Sequence, residues 1–597
     1  MNKVVETITN RLIERSESSR SQFLANCQEQ AATGKSRTNI SCGNLAHAVA
    51  ASDPNEKLKI LNFTHANVAL VTSYNDMVSA HQPYHAYPAA IKKHLHTFGH
   101  TAQVAGGVPA MCDGVTQGQD GMDMSLFSRD LIAQSTALSL SHNVYDATLL
   151  LGVCDKIAPG MLMGALAYAH LPTAFVPTGL MPTGISNDEK VAVRQQFIAN
   201  QVDEQALQRM ECQAYHSAGT CTFYGTANTN QLIFETMGLM LPGSAFVPPD
   251  SLLRTKLTEE VATRISAATQ TSPGYRPLFE VVTEKCIING VIALLASGGS
   301  TNHTIHLLAI ARAAGIQLSW QDISELSSEV PLLVNVYPNG AADMNAFQEA
   351  GGVPALLKRL DADDLLHRDV VSTFGDFSRQ LTTPYLDDDQ LKWRETEGST
   401  NPDVIAPIGQ SFQTSGGIQM LAGNIGRSVI KVSAIAPERR YIKAPAKVFR
   451  CQHAVEQAYL DGELNQDCVV VVSHNGPSAN GMPELHKLMP ILANLQKKGL
   501  KTALVTDGRL SGASGKVPSA IHMSPEASRG GSIGLIQDGD VICLDCESGT
   551  INNLSDTQGR EPINLDTEAS QATWGRALFK TARQSVTSAE QGASFIL

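Results

Sequence analysis

The chain has 597 residues, 45 basic and 57 acidic side chains, and a formal charge of −12. Hydrophobic residues make up 43% and charged residues 17%, an ordinary globular composition that excludes a disordered chain. A pI near 5.8 argues against general nucleic-acid binding, no apolar run approaches the ~18 residues of a membrane helix, and the length demands two or more domains.

The opening MNKVVETITNRLIERSESSR places Val5, Ile8 and Leu12 at helical spacing, with Glu6 and Glu14 among them. It predicts an amphipathic helix and lacks a signal-peptide core. Eleven cysteines, an odd number spread thinly, do not make a secreted disulfide framework. Most are expected to be small buried hydrophobes in a cytoplasmic protein. Cys543 and Cys546 lie on a strand-like run, where residues three apart face opposite ways, so they are read as structural.

From about residue 66 to 185, short apolar runs alternate with helical periods. NVALVTS (67–73), ATLLLGV (147–153) and TAFVPTG read as strands; YHAYPAAIKKHLHTFG, SLFSRDLIAQSTALSLS (125–141) and GMLMGALAYAH read as helices. That alternation predicts an α/β domain with a mostly parallel sheet and ligands at the strand carboxyl ends. Helical periods dominate from about 189 to 360. The polar stretch 381–404 marks the expected boundary, giving an N-terminal domain over 1–390 and a smaller β-rich, barrel-like domain over 391–597. The second domain is read from SVIKVSAI, AKVFR, CVVVVSH, KTALVTDG and GSIGLIQDGDVICLD, with helices at 484–498 and 572–585.

The string GVCDKIAPG (152–160) follows a predicted buried strand and sets Cys154, Asp155 and Lys156 side by side. Charges there are costly unless paired or metal-bound. SAGTCTFYGTANTNQ places Cys221 in a loop ahead of a helix, and loop thiolates suit iron–sulfur clusters. Acids beside glycine recur in loops carrying Asp113, Glu484 and Asp507, the last with Arg509 and Ser511. Such carboxylates suit Mg2+, although each alone is more often a turn acid. The GGSTN turn (298–302) reads either as an anion site or as an N-cap using Ser300 or Thr301.

Taken together, VCDKIAPGMLMGAL, GTCTFYGTANT, GGSTNHTIHLLAIA, LAGNIGRSVIK, GPSANGMPE and TDGRLSGASGKVPSAIHMSPEA resemble the dihydroxy-acid and phosphogluconate dehydratases, from about residue 65 to 550. The resemblance implies a hydro-lyase with an α/β N-terminal domain, a barrel-like C-terminal domain and an active site between them, often in a homodimer. It implies Cys154 and Cys221 as cluster ligands. Asp113, Asp155, Glu484 and a carbamylated Lys156 would hold Mg2+, and Ser511 would be the catalytic base. Family members with a 2Fe–2S cluster carry a further cysteine where this chain has Ala80, so the resemblance points to 4Fe–4S with 2Fe–2S as the alternative. Cys112 is read as a packed thiol, with third-ligand duty as its other reading.

The strings NDMVSAHQPYHAYP and PAMCDGVTQGQDGMDMSLFSRD and the RSESSRSQFL start resemble the phosphogluconate branch. That implies conversion of 6-phospho-D-gluconate to 2-dehydro-3-deoxy-6-phosphogluconate and water, in the Entner–Doudoroff pathway. The partner is then a small sugar-acid phosphate, with neither nucleic acid nor membrane. A dehydratase of dihydroxy acids or unphosphorylated sugar acids, and a non-catalytic cluster-bearing sensor, are the alternatives. No Walker-type loop marks a phosphate pocket; His81, Lys93 and Arg20 are the candidates.

Overall fold

The computed structural model describes residues 1–512, 514–562 and 577–597. The first helix, Lys3–Ala32, is capped by Asn2 and buries Val5, Ile8 and Leu12 as their spacing requires. Beyond it, β1 (Asn67–Thr72), β2 (Thr101–Gly107), β3 (Ala147–Leu151) and β4 (Thr173–Phe175) form one sheet in the order β2-β1-β3-β4, all pairs parallel. Successive residues of β1 enter different cores. Val68 and Leu70 pack with Ile91, Leu95 and Val261, whereas Ala69 and Val71 pack with Leu126, Ile157 and Met161. The sheet is therefore covered on both faces, which is why its central strands read as continuous apolar runs. Helices Ser125–Leu140 and Ile157–Leu166 meet closely: a Cβ on Gly164 would lie 2.3 Å from the Ala133 carbonyl oxygen. The strand β2, TAQVAGG, escapes a hydrophobicity reading because it is a half-exposed edge with two glycines.

The 381–404 stretch is more ordered than a linker. After a small hairpin, β5 (Val371–Ser372) with β6 (Gly375–Asp376), strands β7 (Thr382–Asp387) and β8 (Gln390–Glu395) pair antiparallel. Asp388 and Asp389 turn between them at positive φ, 45° and 59°. The division drawn at 390/391 falls at the start of β8. The acidic run that suggested a boundary is the hairpin tip.

The C-terminal region closes an eight-stranded barrel from β9 (Ile418–Gly423), β10 (Gly426–Lys431), β11 (Tyr441–Phe449), β12 (Cys468–Val472), β13 (Thr502–Thr506), β14 (Ser519–Ser524), β15 (Val541–Asp545) and β16 (Thr550–Asn553), in the order β10-β14-β13-β12-β11-β15-β16-β9. Strands β11 to β14 run parallel. Val469, Val471, Ala503, Val505, Ile542 and Leu544 fill the interior. Cys543 is partly exposed on β15 and Cys546, just past it, is buried, the opposite-facing placement expected of them. Expected helix 484–498 is Leu488–Lys497; of 572–585, residues 572–576 lie outside the described residues and Lys580–Ser585 is helical. Among the described residues no helix is long and apolar enough to cross a membrane.

Candidate active site

Four loops that leave the carboxyl ends of parallel strands meet between the two domains. The loop after β2 brings Cys112 and Asp113; the loop after β3 brings Cys154, Asp155 and Lys156. The loops after β12 and β13 bring Glu484 and Arg509, which are joined by a parallel β-bridge. The crevice rule for parallel sheets accounts for this placement, here applied twice, once from each domain.

Buried Lys156 contacts both Asp113 Oδ2 and Asp155 Oδ2 through Nζ. Buried Arg509 reaches across the domains, with Nη2 at 2.9 Å from Asp113 Oδ2 and Nη1 at 3.3 Å from Glu484 Oε2 and 3.9 Å from Asp155 Oδ2. Its Nε donates to the Met482 carbonyl at 2.8 Å. Further donors complete the shell: Gln117 Nε2 to Glu484 Oε1 at 2.7 Å and Ser125 Oγ to Asp113 Oδ1 at 2.5 Å. His306 Nε2 lies 3.3 Å from Asp155 Oδ1.

Burial opposes ionisation of Asp155, but Lys156, His306 and Arg509 hold its carboxyl well below the usual range. Glu484 goes the other way, pushed up to about 7 by burial and by the like charge of Asp113. Three carboxylates face two cations here, and Glu484 carries the surplus negative charge. Burial drives His306 down to about 4, so it serves Asp155 as a neutral imidazole.

The thiols lie against the same loops. Asn228 and Asn230, on the helix Thr226–Thr236, donate their Nδ2 atoms to the carbonyls of Cys221 (2.7 Å) and Cys154 (3.2 Å). His81 Nε2 accepts from the amides of Val153 and Cys154 at 3.2 and 3.3 Å. Cys112 joins them because its neighbour Asp113 and Asp155 beside Cys154 share Lys156 Nζ. Burial pushes the Cys154 thiol well up, with Cys112 and Cys221 near enough to add to the shift, and pushes Cys221 to about 12, with Cys112 adding to it. Cys112 is therefore placed where third-ligand duty, its other reading, is open to it. It stands beside the two expected cluster cysteines and shares an apolar group with Ala80, where the family's further cysteine would be.

Among the described residues no three His, Cys, Asp or Glu side chains converge so as to hold a single metal ion. The donor chemistry nevertheless fits both expected groups. Thiolates on a polynuclear cluster bind different irons and need not converge. The oxygen donors converge on Lys156 and Arg509, and their surplus negative charge is what a hard divalent cation would relieve. Carbamylation of Lys156 would turn one of those cations into an oxygen donor.

Ser511 is half-buried in the loop that follows Arg509. That loop is pinned to the GGSTN turn: Asn302 Nδ2 donates to the Leu510 carbonyl at 3.3 Å, and a Cβ on Gly512 would lie 2.5 Å from Ser300 Oγ. Ser300 and Thr301 do not cap the following helix. Asn302 holds the cap position, and Ser300 Oγ accepts from the Asn302 amide at 3.2 Å. Asp507, grouped in sequence with possible Mg2+ acids, instead accepts the amides of His474, Asn475 and Ala527 and braces the loops from behind.

The three phosphate candidates do not gather at the site. Arg20 donates to the carbonyls of Ala314, Phe279 and Val282, and Lys93 is exposed on the helix Tyr87–Thr97. Burial holds His81 neutral, its pKa lowered to about 3. Sequence reasoning gave no role to Gln117, Ser125, Arg509 or His306. The signals were present in the Gly-rich acidic loop and in GGSTNHTIHLL, but partners distant in sequence hid their meaning.

Residues 65–380 match the dihydroxy-acid/6-phosphogluconate dehydratase N-terminal model and residues 403–593 the C-terminal model. The chain therefore belongs to the dihydroxy-acid/6-phosphogluconate dehydratase family. It is 52% identical to the phosphogluconate dehydratase of Escherichia coli (strain K12), over 100% of both chains. It is 51% identical to that of Pseudomonas aeruginosa, over 99% of this chain and 98% of the other. With a dihydroxy-acid dehydratase of Lachnoclostridium phytofermentans the identity is 34%, over 88% and 93%.

Proposed function

We propose that this enzyme dehydrates 6-phospho-D-gluconate to 2-dehydro-3-deoxy-6-phospho-D-gluconate in the cytoplasmic Entner–Doudoroff pathway. The observation that carries the reading is the meeting of Asp113, Asp155 and Lys156 with Glu484 and Arg509 across the two domains, in a chain 52% identical end to end to a phosphogluconate dehydratase. Eleven cysteines, all free, suit the reducing compartment.

The reaction removes hydrogen from C2 and hydroxyl from C3, and the resulting enol becomes the 2-keto acid. Cys112, Cys154 and Cys221 would hold an iron–sulfur cluster, and Asp113, Asp155, Glu484 and carbamylated Lys156 would hold Mg2+. When bound, these groups supply a Lewis acid for the departing hydroxyl and neutralise the substrate carboxylate. Ser511 Oγ, as an alkoxide whose negative charge Arg509 two residues earlier on the same loop offsets, takes the C2 proton and becomes the neutral hydroxyl. The Asn302 and Gly512 contacts fix the loop so that the serine meets the substrate in one position. A homodimer belongs to the same proposal, to be read by sedimentation.

The test is anaerobic turnover of 6-phosphogluconate, gluconate and 2,3-dihydroxy-3-methylbutanoate side by side. Two or three charge-assisted hydrogen bonds to a phosphate support a preference of roughly a hundredfold or more for the first. Equal specificity constants for phosphorylated and unphosphorylated gluconate would move the substrate to the unphosphorylated acid.

A further inference from the structure

One ammonium group near the thiols is buried with no ion pair among the described residues, Asp343 and Glu211 acting on it only at longer range. Lys190, on the helix Asn187–Ile198, is 5% exposed. The contact of its Nζ is a 3.5 Å approach to Thr222 Oγ1, in the residue after Cys221, and among the described residues no carboxylate forms an ion pair with it. An unpaired cation so placed costs several kcal/mol unless an anion arrives to meet it. Asn187, one turn earlier on the same face, is 3% exposed, and both of its side-chain polar atoms lack a hydrogen-bond partner. Natural interiors seldom tolerate such groups without a ligand or water to satisfy them.

Tyr337 links the same helix to the loop of the proposed base. Arg194 and Asp188 lie close enough to Tyr337 for their charges to act on its phenol. Over the Tyr337 ring, 5.2 Å from its centroid, sits the Nζ of Lys516, exposed and five residues beyond Ser511. Arg194 is already neutralised by two bonds to Glu211, at 2.7 and 2.8 Å. Among the described residues Lys190 and Lys516 therefore remain as cations without an ion-paired carboxylate, one beside the thiols and one beside the base. The carboxylates that would engage the acid end of a substrate, through Mg2+, lie on other loops.

We propose that Lys190 and Lys516, with the Asn187 amide, form the subsite for a terminal phosphate monoester dianion at the end of the substrate away from its carboxylate. The proposal rests on the phosphorylated sugar-acid reading above. Two ammonium groups match the charge of the dianion, and the amide adds a donor.

The experiment compares holoenzyme, Lys190→Met and Lys516→Met, each assayed with 6-phosphogluconate and gluconate, with inorganic phosphate as a competitive probe and iron and sulfide determined on every preparation. Each substitution should lower kcat/KM for 6-phosphogluconate roughly ten- to a hundredfold, mostly through KM, and weaken phosphate inhibition. Gluconate turnover and iron content should stay at the wild-type level. An equal loss on both substrates, or loss of iron from Lys190→Met, would overturn the subsite by making the lysine a support for the fold or cluster. Unchanged phosphorylated turnover in both variants would overturn it too. Lys516 is exposed, so its variant keeps the test decisive if Lys190→Met fails to fold. Failure of the substrate reading looks different: the wild type itself would then show no preference for the phosphorylated acid.

Discussion

Two dipeptides, Cys112–Asp113 after β2 and Cys154–Asp155 after β3, on either side of β1, contribute to both halves of the site, and the halves are held by different physics. The carboxylate half is electrostatically closed: each of its acids touches Lys156 or Arg509, and the second cation comes from the other domain. The thiol half is held by its backbone, through Asn228, Asn230 and His81, while its side chains face apolar neighbours and keep their protons. Adjacent residues of a loop can thus feed hard oxygen and soft sulfur chemistry to two sides of one crevice. The carboxylate half should be sensitive to any loss of charge. The thiol half should be sensitive only to loss of sulfur.

The largest effect expected from this contrast is at Arg509. Arg509→Met leaves three buried carboxylates with Lys156 alone, and removing one partner of such a pair costs about 3–5 kcal/mol. Thermal unfolding should show a midpoint well below the wild type, with activity lost. A wild-type midpoint would mean that the domains do not depend on this ion cluster.

The thiol half gives the opposite pattern. Cys112→Ser, Cys154→Ser and Cys221→Ser should each retain the far-ultraviolet circular dichroism and most of the stability while losing iron, sulfide and activity, because a hydroxyl is a poor cluster ligand. Full iron content in Cys112→Ser alone would return that residue to a packing role and reduce the proposed thiolate ligands of the cluster to two.

The parallel sheet, the barrel and the site loops were legible because buried parallel strands are written as uninterrupted runs such as ATLLL and CVVVV, followed by Gly-rich turns. Strands β2 and β14, like β9 and β16, were not. The first is a glycine-bearing edge, and the second, SAIHMS, carries His522 in the middle of its apolar pattern at φ 61°. The motifs made the loops carrying Asp113, Asp155 and Glu484 visible, yet the cation between them stayed hidden. Arg509 is 396 residues from Asp113 and its role exists only once the domains meet. Cys112 stayed open to two readings for a related reason: a single thiol carries little signal, and its place beside Cys154 depends on the pairing of β1 with β2 and β3.

Ser511→Ala tests whether chemistry, as distinct from binding, depends on the barrel loop. Iron content and KM should stay near the wild type while kcat falls by about 10²–10⁴, the usual contribution of a general base. If the variant still exchanges the C2 proton of substrate with deuterated solvent at the wild-type rate, the serine only shapes the turn.

The smallest expected effect compares two buried lysines. Lys156 has two carboxylates; Lys431, 4% exposed, has only the carbonyls of Gly298 and Gly299, the first at 2.6 Å. Burial lowers the Lys431 pKa from 10.5 to about 7. Below pH 7 the amine is protonated in both folded and unfolded chains and adds no pH dependence. Between pH 7 and 10.5 the unfolded chain holds the extra proton, so this group makes stability rise with pH, by ~1.4 kcal/mol per unit at most. Thermal unfolding of the wild type and Lys431→Met at pH 7, 8 and 9 isolates the contribution, since other titrating groups cancel in the difference. Relative to the variant, the wild type should gain up to about 3 kcal/mol across that range. A constant difference would mean that the two carbonyls offset the burial and that Lys431 keeps its charge.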